Sequence, residues 1–245
     1  MRIAIAGATG LIGRQLTDLA TQEGHDVVRI ARQTGFDLLD GAAGLDQALE
    51  GAEALVDVTQ SPTLDGQEAT AFFTTVATNL GKAATAAGVR HTVVLSIVGA
   101  DRSPDYGYYV AKVAHEDAHR AASPGAVVLR ATQFHDFAGQ MLDWNRSGNT
   151  VSIIDVPLQP VATSEIVRML LDLATGARTG DTQLAGPKQE RLIDQVRELV
   201  RRNGSPLEVT PVDAPASMAG GSMLPDSTAV VQGPDWLTWL DQQNG

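Results

Sequence analysis

The chain has 245 residues, of which 43% are hydrophobic and 19% charged, and its 24 glycines follow no fixed period. These values are typical of a folded α/β protein and exclude collagen-like, coiled-coil and disordered chains. A formal net charge of −11 gives no basic footprint for nucleic acid, and the absence of cysteine excludes disulfides, thiolate metal sites and cysteine nucleophiles.

The predicted elements alternate between strands and helices over the first 130 residues or so. Short apolar runs predict strands at 2–6, 27–31, 54–57, 91–95 and 127–130, with a weak further strand at 37–39. Amphipathic patterns predict helices at 11–23, 68–87 and 106–122. Buried strands separated by helices imply a Rossmann-type, doubly wound parallel sheet with helices on both faces.

The alternation of strands and helices becomes less regular after Phe134. One predicted helix ends near 145, and further helices are predicted at 163–175, at 190–202 and around Trp236 and Trp239. We expect one NAD(P)-binding domain over 1–245, in which 146–245 contribute a small C-terminal substrate lobe. The segment 211–227 carries three prolines and two glycines with few charges, and we predict a lid there. Its apolar side chains indicate an apolar or aromatic substrate.

A glycine-rich turn joins the first predicted strand to the first predicted helix. It reads Gly7-Ala8-Thr9-Gly10-Leu11-Ile12-Gly13, with three glycines at three-residue spacing. Free N–H groups and the positive end of the helix dipole favour a pyrophosphate at such a turn, and glycine lets the phosphate approach closely. We therefore predict cofactor contacts at Gly7, Thr9, Gly10, Leu11, Ile12 and Gly13. The alternative is a turn that only connects the two elements.

The end of the second predicted strand favours NADP(H) over NAD(H). An NAD site usually has an acidic residue about 20 positions after the glycines, whereas an NADP site tends to have arginine there. Arg32 lies 19 residues after Gly13, and its guanidinium would pair with a 2′-phosphate. The alternative for Arg32 is a solvated loop cation.

Tyr108 and Lys112 lie four residues apart at the start of a predicted helix, so both face the same side. A phenol with an ordinary pKa of about 10 needs a nearby cation to exchange protons near neutrality, and Lys112 supplies one. Ser96 follows the strand predicted at 91–95, and its hydroxyl would hydrogen-bond a substrate oxygen. We predict that these three residues are catalytic; the alternative is a solvated helix face.

These segments resemble the short-chain dehydrogenase/reductase superfamily, and within it the atypical branch with an NAD(P)H-binding, NmrA-like domain. The resemblance covers residues 1–140 and rests on the glycine turn, Asn79-Leu80-Gly81-Lys82-Ala83-Ala84, Ala87-Gly88-Val89-Arg90, Leu95-Ser96-Ile97-Val98-Gly99 and Tyr108-Tyr109-Val110-Ala111-Lys112. It implies that Tyr108 donates a proton, that Lys112 binds the nicotinamide ribose and lowers the pKa of Tyr108, and that Ser96 orients a carbonyl. It also implies that Asp37 lies near the adenine. Thr59 follows the strand 54–57, where the classical members have Asn-Asn-Ala-Gly, and we include it among the cofactor contacts.

The segment His115-Glu116-Asp117-Ala118-His119 matches the H-E-x-x-H pattern of helical zinc sites. A catalytic zinc needs a third protein ligand; downstream, His135 is the only further histidine, and the next glutamate is as distant as Glu165. The segment also continues the helix of Tyr108, where Glu116 matches a common residue of the resembled superfamily. We therefore predict a packing or surface face of this helix and no metal.

The leading hypothesis is an NADPH-dependent oxidoreductase that reduces a carbonyl or similar group of a small molecule. The alternative is a non-catalytic sensor of the NADP redox state that acts on a protein partner, as the NmrA-like resemblance implies. A third possibility, an epimerase or isomerase with tightly held NAD, is disfavoured by Arg32 and by the short C-terminal part.

The remaining expectations concern the substrate and the surroundings of the protein. Phe134, His135 and Met141 follow the strand 127–130, and ligands of open α/β sheets bind beyond the carboxyl ends of strands, so we predict that they line a substrate pocket. No apolar run approaches the 18 or so residues of a membrane helix, and the first strand leaves no room for a signal peptide. We expect a cytoplasmic monomer or homodimer without membrane or nucleic-acid partners.

Overall fold

Strands and helices alternate from Arg2 to Ala131 in the computed structural model, which describes residues 1–41 and 44–243. The strands of this part are β1 (Arg2–Ala6), β2 (Asp26–Ile30), β3 (Ala54–Asp57), β4 (His91–Ile97) and β5 (Val127–Ala131). The helices are α1 (Leu11–Gln22), α2 (Leu45–Ala48), α3 (Gly66–Ala86) and α4 (Gly107–Ala122). The predicted Rossmann-type α/β fold class is confirmed.

Shorter strands and further helices follow in the rest of the chain. The helices are α5 (Phe137–Trp144), α6 (Thr163–Thr175), α7 (Leu192–Arg202), α8 (Ala216–Ala219) and α9 (Trp236–Gln243). The strands are β6 (Arg146–Ser147), β7 (Thr150–Ile154), β8 (Pro157–Leu158), β9 (Thr182–Ala185), β10 (Glu190–Arg191), β11 (Glu208–Val212) and β12 (Val230–Val231). The sequence analysis predicted the longer helices of this part but none of its strands.

The chain divides into two compact units. Unit 1 comprises Met1–Ile97, Tyr106–Arg130 and Ser164–Thr182, and unit 2 comprises Val98–Asp105, Ala131–Thr163 and Gln183–Gly245. The single domain over 1–245 with a substrate lobe at 146–245 stays a prediction, and residues 244–245 of that lobe lie outside the described part.

A parallel sheet forms the centre of unit 1. Strand β1 pairs in parallel with both β2 and β3, β3 pairs in parallel with β4, and β5 borders β4. Every residue of β3 is buried, as expected for strands covered by helices on both faces. Ala6 lies opposite Asp57, and Asp57 lies opposite Val94, so β1, β3 and β4 reach the same edge in register. The glycine turn and Thr59 follow at this edge, and Ser96 lies near the end of β4.

Helices α3 and α4 pack closely because small residues face each other at two levels. A Cβ atom on Gly66 would lie 2.7 Å from the Cα of Gly107, and one on Gly81 would lie 2.6 Å from the carbonyl carbon of Ala122. No larger side chain fits at either place without displacing backbone. This contact brings the buried Phe73 of α3 against the face of α4 that carries the predicted catalytic residues.

The strand predicted at 37–39 is wrong. The side chain of Asp37 instead accepts a hydrogen bond from the backbone N–H of Leu39 at 2.9 Å, which closes a local turn. Leu38 is buried in the core, and its carbonyl accepts a hydrogen bond from the Asn79 amide of α3 at 2.8 Å. The apolar pattern therefore marks one buried side chain in a turn. A smaller difference is that Ser96 lies within β4 and not after it.

Unit 2 contains short strands and helices. Strand β7 pairs in parallel with β11 and antiparallel with β6, β8 pairs antiparallel with β10, and β12 pairs in parallel with β9. His135 is buried beside α9, where its carbonyl accepts a hydrogen bond from Trp236 Nε1 at 3.1 Å and its ring lies 5.2 Å from that of Trp239.

The predicted lid at 211–227 contains the end of β11 and the helix α8. Met218 and Met223 are buried, and the hydroxyl of Ser222 lies 2.7 Å from that of Ser103. The segment is thus anchored within unit 2, and its opening over a substrate stays a prediction. Within the described ranges, no helix is both long and apolar enough to span a bilayer.

Candidate cofactor and proton-transfer site

The glycine turn between β1 and α1 leaves no room for a side chain at Gly7 or at Gly13. A Cβ atom on Gly13 would lie 2.1 Å from the carbonyl oxygen of Gly7, and one on Gly7 would lie 2.9 Å from the carbonyl carbon of Val58. Gly7 also has a φ of +81°, which favours glycine. The turn therefore needs glycine at both positions for its own geometry.

The amino-terminal end of α1 has no side-chain cap, since its N-cap residue is Gly10. Its first N–H groups are available to an anion, as at other phosphate-binding helix ends. The N–H of Gly7 donates to the carbonyl of Ile30 at 2.9 Å, which ties the turn to the end of β2. Arg32 follows β2, is exposed and has no ion-pair partner among the described residues. These features fit a dinucleotide with a 2′-phosphate. Asp37 is exposed further along the same loop.

Lys112 is buried and its ammonium is held at one place. Lys112 Nζ donates to the carbonyl of Leu95 at 2.9 Å, next to Ser96, and lies 2.9 Å from His115 Nδ1. It also lies 4.4 Å from the centre of the Phe73 ring, and Tyr108 packs edge-on against the same ring at 5.9 Å. The structure therefore brings Tyr108 and Lys112 to one ring and Lys112 to the strand residue beside Ser96.

Two hydroxyl groups at this edge of the sheet are buried without partners. Among the residues that the structure describes, neither Ser96 Oγ nor Thr59 Oγ1 makes a hydrogen bond. Buried polar atoms in native proteins are normally paired, so each such atom needs an explanation. A bound cofactor or substrate that contacts the two hydroxyls would satisfy them.

Asp57, His115 and His119 form a buried cluster that the sequence analysis did not predict and that contacts Lys112 through His115. In this Asp-His-His cluster, Asp57 Oδ2 lies 3.0 Å from His115 Nε2 and 2.8 Å from His119 Nε2. The other carboxylate oxygen, Asp57 Oδ1, accepts the N–H of Thr59 at 2.7 Å, and His119 Nδ1 lies 2.8 Å from the Ser123 hydroxyl. The side chains of the cluster are completely buried.

The cluster offers three atoms that could hold a metal, including the third ligand that the sequence analysis lacked. Its distances are those of ordinary N–H···O hydrogen bonds, however, and are shorter than the separation of about 3.3 Å between tetrahedral zinc ligands. Moreover, Glu116 forms a two-point ion pair with Arg130 at 2.7 and 2.9 Å, so it is not placed as a zinc-site base. We interpret the H-E-x-x-H segment as a hydrogen-bonded packing face.

Burial and neighbouring charges set the protonation of the cluster. Burial alone would raise the pKa of Asp57, but the N–H donors of His115 and His119 hold it well below its usual value. Burial, and next the Lys112 cation, lower the pKa of His115 to about 3, although Asp57 acts to raise it. At pH 7 the carboxylate is therefore ionised and the His115 ring is neutral.

The pKa of Lys112 is lowered, whereas the pKa of Tyr108 is raised. Burial lowers the pKa of Lys112 to about 8, although the charges of Asp57 and Glu116 act to raise it. Burial, and then the nearby Tyr106, raise the pKa of Tyr108 to about 12. The resemblance implied that Lys112 lowers the pKa of Tyr108. Lys112 is not among the groups that shift the pKa of Tyr108 here, and its ammonium is directed to Leu95 and His115, so this lowering by Lys112 stays a prediction.

One family model matches the part of the chain that contains the glycine turn, Tyr108 and Lys112. The model of the NAD dependent epimerase/dehydratase family matches residues 3–125, just over half of the chain. The chain belongs to this family. This family match does not specifically show the NmrA-like branch that the sequence analysis named.

One curated relative is similar to this chain over most of its length. It is the (4-alkanoyl-5-oxo-2,5-dihydrofuran-3-yl)methyl phosphate reductase of Streptomyces griseus, 30% identical over 227 residues, which cover 84% of this chain and 75% of that protein.

Solved structures show the same fold. A dTDP-4-dehydrorhamnose reductase of Clostridium acetobutylicum has a TM-score of 0.80 at 16% identity and covers all of both chains. A dTDP-4-dehydrorhamnose reductase of Bacillus anthracis, solved with NADP, has a TM-score of 0.78 at 15% identity and covers 98% of this chain and 97% of that one.

Phe134, His135 and Met141, the predicted pocket residues, belong to unit 2. His135 Nε2 lies 3.1 Å from the carbonyl of Pro234, and burial lowers its pKa. Phe134 forms an isolated β-bridge with Val161, and Met141 is half-buried in α5. Their contact with a substrate stays a prediction.

Proposed function

We propose that the chain is an NADPH-dependent reductase of a carbonyl or similar group in a small molecule, with Tyr108 as proton donor. The observation that supports this most strongly is the held ammonium of Lys112 at the Leu95 carbonyl, beside the unpaired hydroxyl of Ser96 and on the helix face of Tyr108. A cation, a phenol and a free hydroxyl together suit the reduction of a polarised double bond.

The residues near the glycine turn would hold the cofactor. Gly7, Thr9, Gly10, Leu11, Ile12 and Gly13 would surround the pyrophosphate at the open end of α1. Arg32 would pair with the 2′-phosphate, Asp37 would lie near the adenine, and Thr59 would use its unpaired hydroxyl. When bound, the nicotinamide supplies the hydride.

Each catalytic side chain has a defined proton to hold or move. Tyr108, with its pKa raised to about 12, holds its proton at pH 7. An alkoxide is a stronger base than a phenolate, so transfer of that proton to the oxygen formed by reduction is favourable. Ser96 would donate a hydrogen bond to the same oxygen, and Lys112 would stabilise the resulting phenolate by its positive charge.

The available likenesses favour an enzyme over a cofactor sensor. The Streptomyces griseus relative is named as a reductase of a methyl phosphate compound with alkanoyl and oxo groups, which agrees with a small oxo substrate. An apolar or aromatic substrate remains our proposal from the low charge of 211–227. These likenesses do not favour a sensor of NmrA type.

Tyr108→Phe tests the proposal, with the neighbouring Tyr109→Phe as the matched control. Both variants and the wild type would be assayed for NADPH oxidation with a panel of apolar ketones, aromatic aldehydes and conjugated oxo compounds. We expect Tyr108→Phe to lose about 100-fold or more in turnover while its NADPH affinity changes little, because it loses only the transferable proton. Retained turnover in Tyr108→Phe would exclude Tyr108 as the proton donor.

A further inference from the structure

One buried face of α4 carries polar groups where an apolar stripe is usual. Tyr108, Lys112, His115 and His119 follow each other at spacings of four, three and four residues, and all four are buried. Such spacing normally marks the apolar side of a helix. Burying a cation and two imidazoles costs free energy unless each is hydrogen-bonded, so this arrangement needs a reason beyond packing.

The His115 ring links Lys112 to Asp57 through its two nitrogens. Because an ammonium can only donate, Nδ1 must accept the Lys112 hydrogen bond, and the proton of the neutral ring then lies on Nε2. That proton points at Asp57 Oδ2, 3.0 Å away. The carboxylate therefore selects the tautomer that can accept from Lys112, and the adjacent Phe73 ring, at 4.6 Å, restricts the tilt of the imidazole.

We propose that His115 is a positioning residue for Lys112 and that Asp57 keeps it in the tautomer this task requires. The inference rests on the proposed function, in which Lys112 serves the cofactor and Tyr108. His115 and the Leu95 carbonyl occupy two of the three ammonium donors. With two donors fixed, the direction of the third is set, and in the proposed function it would donate to a cofactor hydroxyl.

Substitution of His115 by asparagine or by glutamine distinguishes two roles of the ring. One role is to position Lys112, and the other is only to donate a hydrogen bond to Asp57. Asparagine places an amide group near the position of Nδ1, so its oxygen can accept from Lys112 but its side chain does not reach Asp57. Glutamine places an amide N–H near the position of Nε2, so it can donate to Asp57 but gives Lys112 no acceptor. His119→Gln is the matched control. Its amide keeps a donor to Asp57, and the His119 ring that it replaces makes no hydrogen bond to Lys112 among the described residues.

The first readout is the side-chain NMR signal of Lys112 in protein labelled with ¹⁵N-lysine. The chain has only three lysines, so Lys82→Arg and Lys188→Arg assign the Lys112 signal. Loss of an acceptor destabilises the charged form, so His115→Gln should lower the pH at which Lys112 titrates. Asp57, Glu116 and His115 are the titratable groups that act on Lys112. His115→Asn and His119→Gln should stay close to the wild type.

The second readout is NADPH affinity by calorimetry, which should fall about tenfold in His115→Gln and little in His115→Asn. The reverse order, with Asn more disturbed than Gln, would overturn the inference, as would a wild-type Lys112 signal in His115→Gln. If His115→Gln does not fold, a changed Lys112 signal in folded His115→Asn overturns it. Failure of the wild type to bind NADPH would instead refute the proposed function, while the lysine signal still decides the role of His115.

Discussion

The neutral state of His115 predicts a specific loss of stability in mild acid. An unfolded histidine has a pKa of about 6.5, whereas burial holds the pKa of His115 at about 3 in the folded chain. The unfolded state therefore binds one more proton between these values, and the free energy of unfolding falls as the pH falls. His115 alone should remove about 2 kcal/mol between pH 7 and pH 5.

His115→Gln removes the titrating ring and keeps a donor to Asp57, so this part of the pH dependence should disappear. Urea unfolding of both proteins at pH 7, 6 and 5 would measure it, since the depressed pKa of Asp57 affects stability only below about pH 4. Far-UV circular dichroism reports on both units, whereas Trp144, Trp236 and Trp239 report on unit 2. Coincident transitions would justify a two-state free energy.

The decisive quantity is the difference in pH dependence between the two proteins, not their stability at pH 7. We expect the wild type to lose about 2 kcal/mol more than His115→Gln between pH 7 and pH 5. Parallel curves would mean that folding does not lower the pKa of His115, and a wild type that loses less stability than His115→Gln would mean that His115 is protonated in the folded chain. The tautomer argument for its contact with Lys112 would then be wrong.

Further predictions concern packing and metal. Gly81→Ala should destabilise the protein by about 1–3 kcal/mol, because its Cβ would lie 2.6 Å from the Ala122 backbone. The control Gly139→Ala in α5 has open space around its Cβ and should be neutral or stabilising. Chemical denaturation measures the free energy of unfolding of both variants. The Asp-His-His cluster should hold no zinc, so elemental analysis of purified protein should give no stoichiometric metal and a chelator should not change its melting temperature. One zinc per chain would contradict the hydrogen-bonded interpretation.

Local patterns predicted the elements that position the cofactor site. The alternation of short apolar runs and amphipathic stretches predicted β1, β3, α3 and α4 to within a few residues. The Gly7 to Gly13 spacing predicted the tight turn, because steric need for glycine is visible in sequence. Asp37 to Leu39 failed, because one buried leucine in a turn resembles a short strand.

Long-range contacts were beyond such patterns. Asp57 lies 58 residues before His115, and nothing in the sequence around either residue indicates that they meet. The cluster could have been suspected from a carboxylate at the end of a fully buried strand, since such a charge needs partners. Strand β11 was missed because it contains Pro211, which an edge strand tolerates.

The most direct test of the central claim is a calorimetric titration of NADPH and NADH into the wild type, Arg32→Ala and the control Arg29→Ala. Arg29 is exposed on β2, three residues before Arg32. The account predicts that NADPH binds the wild type and Arg29→Ala more tightly than NADH does, and that Arg32→Ala loses this preference. Failure of the wild type to bind either nucleotide would contradict the account.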